Sequence, residues 1–184
     1  EEYLKNLQKS DSSWSIIILR YFNPVGAHHS GVIGEQPRGV PNNLMPYIVQ
    51  VAAKEIDQIL IYGGDYPTKD GTGIRDYIHV SDLASAHVSA LDLLLTKNLH
   101  SKRIETINIG TGIGCSVLEL IHTFEVNNNV KIPYKIVDRR SGDVSESYTD
   151  PSLAYKILGW KAERNLKDMC IDSWNWKQLD KSFN

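Results

Sequence analysis

The sequence predicts an α/β protein whose parallel strands are joined by helices. Short runs of β-branched and other apolar residues, typical of buried parallel strands, occur at residues 16–21, 59–62 and 106–110. Segments with apolar residues at helical spacing lie between and after these runs. Glycine, proline or asparagine stands at most of the junctions. Alternation of this kind favours a parallel sheet with helical crossovers.

Start and stop signals place the predicted elements along the chain. Either Asn42 or Asn43 can cap the helix that follows them. Ser116 and Glu119 have the spacing of a capping box. Pro24 is expected to end the first strand, because proline lacks a backbone N–H donor. The predicted order begins with a helix ending before the polar stretch 10–13, a strand at 16–21, a helix from Leu44 and a strand at 59–62. An extended piece at 75–80, a helix from Ser81 and a strand at 106–110 follow. The chain then forms a helix after Ser116, a short helix between Pro151 and Gly159, and a last helix through Trp174.

Composition argues against several classes of function. The net charge of −2 and the lack of a polybasic block argue against a nucleic-acid partner. The longest continuous apolar run, at 16–19, is far too short to span a membrane. Cys115 and Cys170 lie far apart and belong to no C-x-x-C pair, and the six histidines form no ligand motif, so no metal is expected. Sparse cysteines without a signal peptide fit a cytoplasmic location.

Candidate binding residues follow the predicted strands. In open parallel sheets, ligands bind beyond the carboxyl ends of the strands. Tyr21, Phe22 and Asn23 follow the first strand, and Tyr62 ends the second. The amide of Asn23 suits sugar hydroxyls, and the rings of Tyr21 and Phe22 could pack on a flat ligand. Aromatic residues near strand ends are, however, more often part of the core.

Of two loop-to-helix junctions, one is a candidate anion-binding site and the other is not. The helix start at Asn42, Asn43 and Leu44 offers free backbone N–H groups to a phosphate, although every helix has such an end. The turn at 110–114 looks like a dinucleotide fingerprint, but Cys115 stands where the third glycine would be needed. We therefore interpret that turn as a structural connection.

Arginines and one carboxylate complete the candidates. Arg75 and the pair Arg139-Arg140 could clamp a diphosphate, because guanidinium groups bind phosphate bidentately. Asp143 could accept hydrogen bonds from ribose hydroxyls. Most surface arginines are solvated or lie in weak ion pairs, so these residues by themselves leave the alternative of an ordinary surface open.

Taken together, blocks of residues resemble the UDP-glucose 4-epimerases, also called UDP-galactose 4-epimerases, of the extended short-chain dehydrogenase family. The blocks are LRYFNPVGA at 19–27, PNNLMPY at 41–47, DGTGIRDYIHVSDL at 70–83, NIGTG at 108–112 and RRSGD at 139–143. Several are shared with nucleotide-sugar dehydratases, whereas NNLMPY and RRSGD are more particular to the epimerases. The resemblance runs from about Tyr3 to about Lys177.

The resemblance implies the C-terminal part of a Rossmann-like extended short-chain dehydrogenase fold with a mixed α/β substrate-binding subdomain. Residues 1–23 and 80–112 would complete an NAD-binding domain, and residues 24–79 and 113–184 would form the nucleotide-sugar-binding subdomain. An N-terminal half would hold most of the NAD. The chain opens without methionine or a helix cap, and neither the glycine-rich NAD loop nor the catalytic Tyr-x-x-x-Lys pair occurs in it. We therefore expect the fragment itself to be inactive and its full-length parent to be an enzyme.

The resemblance also implies roles for residues near the sugar and the diphosphate. Tyr21 and Phe22 would lie near the nicotinamide and the hexose of UDP-glucose or UDP-galactose. Asn23 would hydrogen-bond the sugar or its linking phosphate. The diphosphate would be cradled by Asn42, Asn43 and Leu44 and clamped by Arg75 and Arg140.

Further roles concern the base, the ribose and the size of the sugar. Leu60, Ile61 and Tyr62 would hold the uracil, Tyr62 by stacking, and Asp143 would bind the ribose. Ser147 is small and would leave room for UDP-N-acetylhexosamines. A homodimer is expected through helices near the start of the chain.

Other functions stay open. Another nucleotide-sugar enzyme of the superfamily, such as a 4,6-dehydratase or a UDP-xylose epimerase, would share the blocks around Asn23 and Arg75. A noncatalytic nucleotide-sugar-binding module would bind UDP without converting any UDP-sugar.

Overall fold

The computed structural model describes residues 1–37, 39, 41, 43–96 and 104–183. Helices and strands alternate along most of the chain, as predicted. In order they are α1 (Glu2–Ser10), β1 (Ile16–Tyr21), β2 (Asn23–Val25), α2 (Leu44–Ala52), β3 (Ile59–Tyr62), β4 (Ile74–His79), α3 (Val80–Thr96), β5 (Ile104–Ile109), β6 (Gly114–Ser116), α4 (Val117–Asn128), β7 (Tyr134–Val137), β8 (Glu146–Ser147), α5 (Ser152–Leu158) and α6 (Leu166–Phe183). None of the helices in these ranges is both long and apolar enough to cross a membrane.

Most strand pairs are parallel. β1 pairs with β5 from Ile16 opposite Ile104 to Tyr21 opposite Ile109, and β3 pairs with β7. β2 and β8 each pair parallel with β4, whereas β6 pairs antiparallel with it. The predicted α/β class is confirmed, and the mixed pairing is confined to the strands around β4.

Local sequence signals account for several element boundaries. The capping box before α4 is formed: the amide of Glu119 donates to Oγ of Ser116 at 3.0 Å, and the amide of Ser116 donates to Oε2 of Glu119 at 2.9 Å. α2 begins directly after Asn43. α5 lies between Pro151 and Gly159, and Gly159 adopts the left-handed φ of 65° that glycine tolerates after a helix.

The first strand ends before Pro24, as predicted, but Pro24 itself lies in a second strand. β1 ends at Tyr21, but Asn23, Pro24 and Val25 then form β2 beside residues 77–79 of β4. β2 lies at one edge of the described β2-β4-β6 sheet. Proline is tolerated on an edge strand, because its missing N–H need not face a neighbouring strand.

Two apolar cores hold the elements together, and β4 contributes to both. One core joins β5, α3 and α5, with β1 packed against it, and contains Ile78 of β4. The other joins α2, β3, α4 and α6 and contains Tyr77 of β4. Successive side chains of a strand point to opposite faces, so the adjacent residues Tyr77 and Ile78 serve different cores.

β1 is less buried than its sequence predicts. Its apolar residues at 16–19 are half-buried, and Tyr21 at its end is 53% exposed. Within the described residues β1 pairs with β5 alone. The apolar strand therefore has one edge that no described strand covers.

Asp76 is a fully buried carboxylate that ties two loops to β4. Its Oδ1 accepts hydrogen bonds from the amide and the hydroxyl of Thr111, at 2.9 and 2.6 Å. Its Oδ2 accepts from the amides of Gly112 and Thr149, at 3.0 and 3.2 Å. Residue 110 must be glycine, because a Cβ there would lie 2.6 Å from Oδ2 of Asp76. The turn after β5 and the segment after β8 are thus held against β4.

Replacing Asp76 by Asn should destabilise the fold by roughly 2–4 kcal/mol, because the amide NH₂ would face N–H donors that then lose their acceptor. The free energy of unfolding from urea titrations measures this change. Asp57→Asn removes an exposed carboxylate and should change stability by less than about 0.5 kcal/mol. Equal effects of the two substitutions would contradict the role given to Asp76.

Candidate nucleotide-binding site

A cavity of about 430 Å³ lies between β2, the start of α2, β3 and β4. Its walls collect most of the residues that the sequence singled out. The predicted site residues that line it are Asn23, Asn43, Leu44, Leu60, Ile61, Tyr62, Arg75, Arg140 and Asp143. Residues from separate strands and loops are thus brought to one concave surface, the usual form of a small-molecule site.

The remaining predicted residues lie elsewhere. Tyr21 and Phe22 follow one another at the end of β1 and are not in the lining, and the amide of Phe22 donates to the carbonyl of Ile109 at 3.1 Å. Ser147 is also not in the lining, but it pairs in register with Arg75 across β8 and β4. Asn42 lies outside the described residues.

The start of α2 leaves backbone donors for a ligand. Asn43 precedes the helix in an extended conformation, and its side chain makes no capping hydrogen bond. The first turn carries no acidic residue that would compete for an anion. The N–H groups of the first turn have no partner within the helix, and the helix dipole favours negative charge there. A phosphate group fits this end of the cavity.

β3 presents an apolar slot at the other side of the cavity. Ile59 and Ile61 point into the core, whereas Leu60 is 46% exposed and Tyr62 is half-buried. This alternation follows from the pleat of the strand. Gly63, with a φ of 88°, turns the chain away directly after Tyr62. The side chain of Tyr62 lines the cavity.

The two adjacent arginines, Arg139 and Arg140, have different partners. Nε of Arg139 donates to Oδ1 of Asp65 at 2.7 Å, and its guanidinium lies 4.2 Å from the ring centroid of Tyr66. The hydrogen bond from Arg139 lowers the pKa of the Asp65 carboxyl. The guanidinium of Arg140 instead lies 3.7 Å from the ring centroid of Tyr62, and no carboxylate among the described residues binds it. Arg140 is thus the guanidinium that remains available to an anionic ligand.

Arg75 and Asp143 face each other loosely. Nη1 of Arg75 donates to the carbonyl of Ile74 at 2.8 Å, which fixes the side chain on β4. Its Nη2 lies 3.9 Å from Oδ1 of Asp143, and the two side chains are 22% and 41% exposed. An ion pair of this length and exposure is weak. Both groups can give up this ion pair and bind a ligand instead.

Several lining residues were missed from the sequence. They are Tyr47, Gln58, Tyr66, Tyr77 and Val117, together with neighbouring apolar residues. Two of them had a usable signal: Tyr77 lies two residues after Arg75 on β4, and Tyr47 lies three residues after Leu44 on α2. Gln58 and Tyr66 lie in loops, where no periodicity marks the side that faces the cavity.

Burial keeps one phenol and two thiols of the described residues neutral. Burial raises the pKa of Tyr77, so its phenol stays neutral. Burial also raises the pKa of Cys115 and of Cys170 to about 12, so neither provides a thiolate nucleophile. No group of His, Cys, Asp and Glu among the described residues could hold a metal ion.

A mostly parallel α/β fold with a concave cavity between its strands and a helix start is of the Rossmann-like class. A family model described as "GDP-mannose 4,6 dehydratase" matches residues 1–173. The chain belongs to this family, the NAD-dependent epimerases and dehydratases of the extended short-chain dehydrogenase type.

Curated relatives support the resemblance seen in the sequence. The chain is 52% identical over 177 residues to the UDP-glucose 4-epimerase of Bacillus subtilis, covering 96% of this chain and 51% of the relative. It is 55% identical over 177 residues to the UDP-glucose 4-epimerase of Drosophila melanogaster, covering 96% and 50%. The chain therefore spans about half the length of these relatives.

Solved structures agree with the predicted fold. The UDP-glucose 4-epimerase from Stenotrophomonas maltophila, with bound NAD and formylated UDP-arabinopyranose, has a TM-score of 0.93 and 51% identity, covering 100% of this chain and 53% of that one. The enzyme from Bifidobacterium longum, in complex with NAD+ and UDP, has a TM-score of 0.91 and 47% identity, covering 98% and 52%. The predicted C-terminal part of an extended short-chain dehydrogenase fold is confirmed.

Arg140→Gln should weaken binding of pyrophosphate, the smallest diphosphate, by roughly tenfold to a hundredfold, because charge-assisted hydrogen bonds are lost. Arg139→Gln is the matched control, since Arg139 is bound to Asp65 and should affect binding little. Isothermal titration calorimetry of the natural protein, saturated with NAD, measures both. A larger loss in Arg139→Gln than in Arg140→Gln would reject this assignment.

Proposed function

We propose that this chain is the UDP-sugar-binding half of a UDP-glucose 4-epimerase, an enzyme of galactose metabolism that interconverts UDP-glucose and UDP-galactose. The convergence of the predicted UDP-binding residues on one cavity carries the proposal. High identity to UDP-glucose 4-epimerases supports it. The bound UDP in one similar structure supports the choice of ligand.

In this proposal the uracil stacks on Tyr62 beside Leu60 and Ile61, and Asp143 accepts hydrogen bonds from the ribose. The diphosphate is held by Arg75 and Arg140 and by the α2 start, with Asn42, Asn43 and Leu44. Asn23 at the end of the cavity hydrogen-bonds the sugar or its phosphate. Supporting features are the start of α2 without a side-chain capping bond from Asn43, the guanidinium of Arg140, which no carboxylate among the described residues binds, and the loose contact between Arg75 and Asp143.

We further propose that residues 1–23 and 80–112 complete an NAD-binding domain contributed mainly by a preceding half, and that residues 24–79 and 113–184 bind the nucleotide sugar. Such a partner would suit the edge of β1 that no described strand covers, together with the exposed Val88 and Leu91 on α3. Tyr21, an exposed ring at the end of β1, and Phe22 beside it fit a planar nicotinamide. Homodimerisation and a cytoplasmic location stay predictions.

The proposed reaction needs a firmly held nucleotide and a loosely held sugar. The 4-hydroxyl loses its proton while a hydride leaves carbon 4, and the resulting 4-keto sugar rotates. The hydride then returns to the opposite face of carbon 4, and the oxygen regains a proton. NAD, when bound, supplies the hydride acceptor. The residues of this chain anchor the UDP, whose binding energy holds the sugar near the reacting groups without fixing its ring. Because no Tyr-x-x-x-Lys pair occurs in the sequence, we propose that the chain by itself is inactive.

Among the alternatives, a 4,6-dehydratase is supported by the matching family model, which bears the name "GDP-mannose 4,6 dehydratase". Product analysis separates the two reactions, since a dehydratase releases a 4-keto-6-deoxy sugar instead of an epimer. A noncatalytic module would bind UDP and leave every UDP-sugar unchanged.

The natural full-length protein, incubated with UDP-galactose and no added NAD, should form UDP-glucose to a stable ratio, because a retained cofactor is reoxidised in each cycle. Chromatography of the nucleotide sugars over time measures the conversion. Supplying NAD is the control for loss of cofactor during purification. Survival of UDP-galactose under both conditions would reject the proposed epimerase activity.

We also propose that the site accepts UDP-N-acetylhexosamines, because Ser147 is small. Ser147 pairs with the cavity residue Arg75. A UDP-Glc/GlcNAc 4-epimerase from Campylobacter jejuni is similar, with a TM-score of 0.76 and 32% identity, covering 97% of this chain and 53% of that one.

Ser147→Tyr should lower turnover of UDP-N-acetylglucosamine by roughly tenfold or more relative to UDP-galactose, because the ring fills the space needed by the acetamido group. Ser147→Ala keeps the space and should leave the ratio unchanged. Parallel assays with the two sugars measure the ratio. Failure of the unmodified protein to turn over the N-acetylated sugar would reject the proposal.

A further inference from the structure

We propose that the contact between Arg140 and Tyr62 makes the cavity select ligands that carry both a base and a diphosphate. The inference rests on the proposed function, in which Tyr62 stacks the base and Arg140 binds the diphosphate. In the structure these two residues bind each other instead: the guanidinium carbon of Arg140 lies 3.7 Å from the ring centroid of Tyr62. The guanidinium of Arg140 thus covers one face of the Tyr62 ring, and the ring in turn covers the guanidinium.

The geometry makes the two contacts of Tyr62 mutually exclusive on that face. A separation of 3.7 Å is van der Waals contact, so no space remains between the guanidinium and the ring. A base that stacks on the covered face of Tyr62 must displace Arg140.

Arg140 can leave at small cost because the ring is its main partner. No hydrogen bond or ion pair to its guanidinium occurs among the described residues. Neighbouring Arg139 differs: Asp65 binds it through both a carboxylate oxygen and the carbonyl oxygen, at 2.7 and 2.6 Å. Of the two adjacent guanidinium groups, only that of Arg140 combines cavity exposure with the freedom to move.

The exchange of partners links the two halves of the ligand. A nucleoside displaces Arg140 from the ring but offers the arginine no anion. Pyrophosphate draws Arg140 away but leaves the ring uncovered. A nucleoside diphosphate supplies a replacement on both sides. Each partial ligand bears the loss of the contact, about two- to fivefold in affinity for an exposed cation–π pair, whereas a nucleoside diphosphate bears it once for both of its groups. Base binding and diphosphate binding are therefore positively coupled.

Calorimetry of the natural full-length protein, saturated with NAD to occupy the dinucleotide site, tests this coupling. Tyr62→Leu should tighten pyrophosphate binding about two- to fivefold, because Arg140 no longer leaves an aromatic partner. Arg140→Gln should tighten uridine binding by a similar factor, since coupling between two sites is reciprocal. Both substitutions should weaken UDP binding.

Two further variants separate coupling from a structural effect. Tyr62→Phe keeps the ring face and should bind pyrophosphate as the unmodified protein does. In an Arg140→Gln background, Tyr62→Leu should bring no gain in pyrophosphate affinity. A gain that persists in that background, or no gain in Tyr62→Leu alone, would overturn the coupling. If UDP binds while the coupling is absent, only this inference fails; if the unmodified protein does not bind UDP, the proposed function fails.

Discussion

The β4 wall of the cavity depends on the burial of one carboxylate, that of Asp76. A buried charge is tolerated only when hydrogen-bond donors surround it. Here the donors are the amides and the hydroxyl of the turn after β5 and of the segment after β8. Both segments must approach β4 closely to satisfy the carboxylate, and the glycine at 110 permits this. The arrangement of β8 beside Arg75 follows from the same requirement.

β4 also transmits the rigidity of the two cores to the cavity. Tyr77 and Ile78 point in opposite directions into different cores, so the strand is fixed from both faces. Arg75 lies two residues before Tyr77 and faces the cavity from this fixed strand. Groups on packed strands hold their positions more accurately than groups on loops. The opposing groups, Arg140 and Asp143, lie on a loop and can adapt to the ligand.

Local signals predicted those parts of the fold in which a single segment determines its own conformation. The β-branched run of β1, the capping box at Ser116 and the glycine after α5 are examples. β6 and β8 are only three and two residues long, too short for any period to appear, and form because β4 offers them partners. The burial of β1 was overestimated, because burial depends on neighbours that the strand's own sequence does not specify.

In the candidate site, too, the role of a single side chain depends on neighbours that its own segment of sequence does not specify. By residue type alone the sequence marks Arg139 and Arg140 alike, as adjacent cations, and only the resemblance singled out Arg140. Asp65, 74 positions earlier, engages Arg139 and thereby leaves Arg140 for the cavity. Residue chemistry and the resemblance singled out residues that the structure gathers around one cavity. Residue type could not distinguish the two arginines, because the tertiary partners that occupy guanidinium donors are not specified by the local sequence.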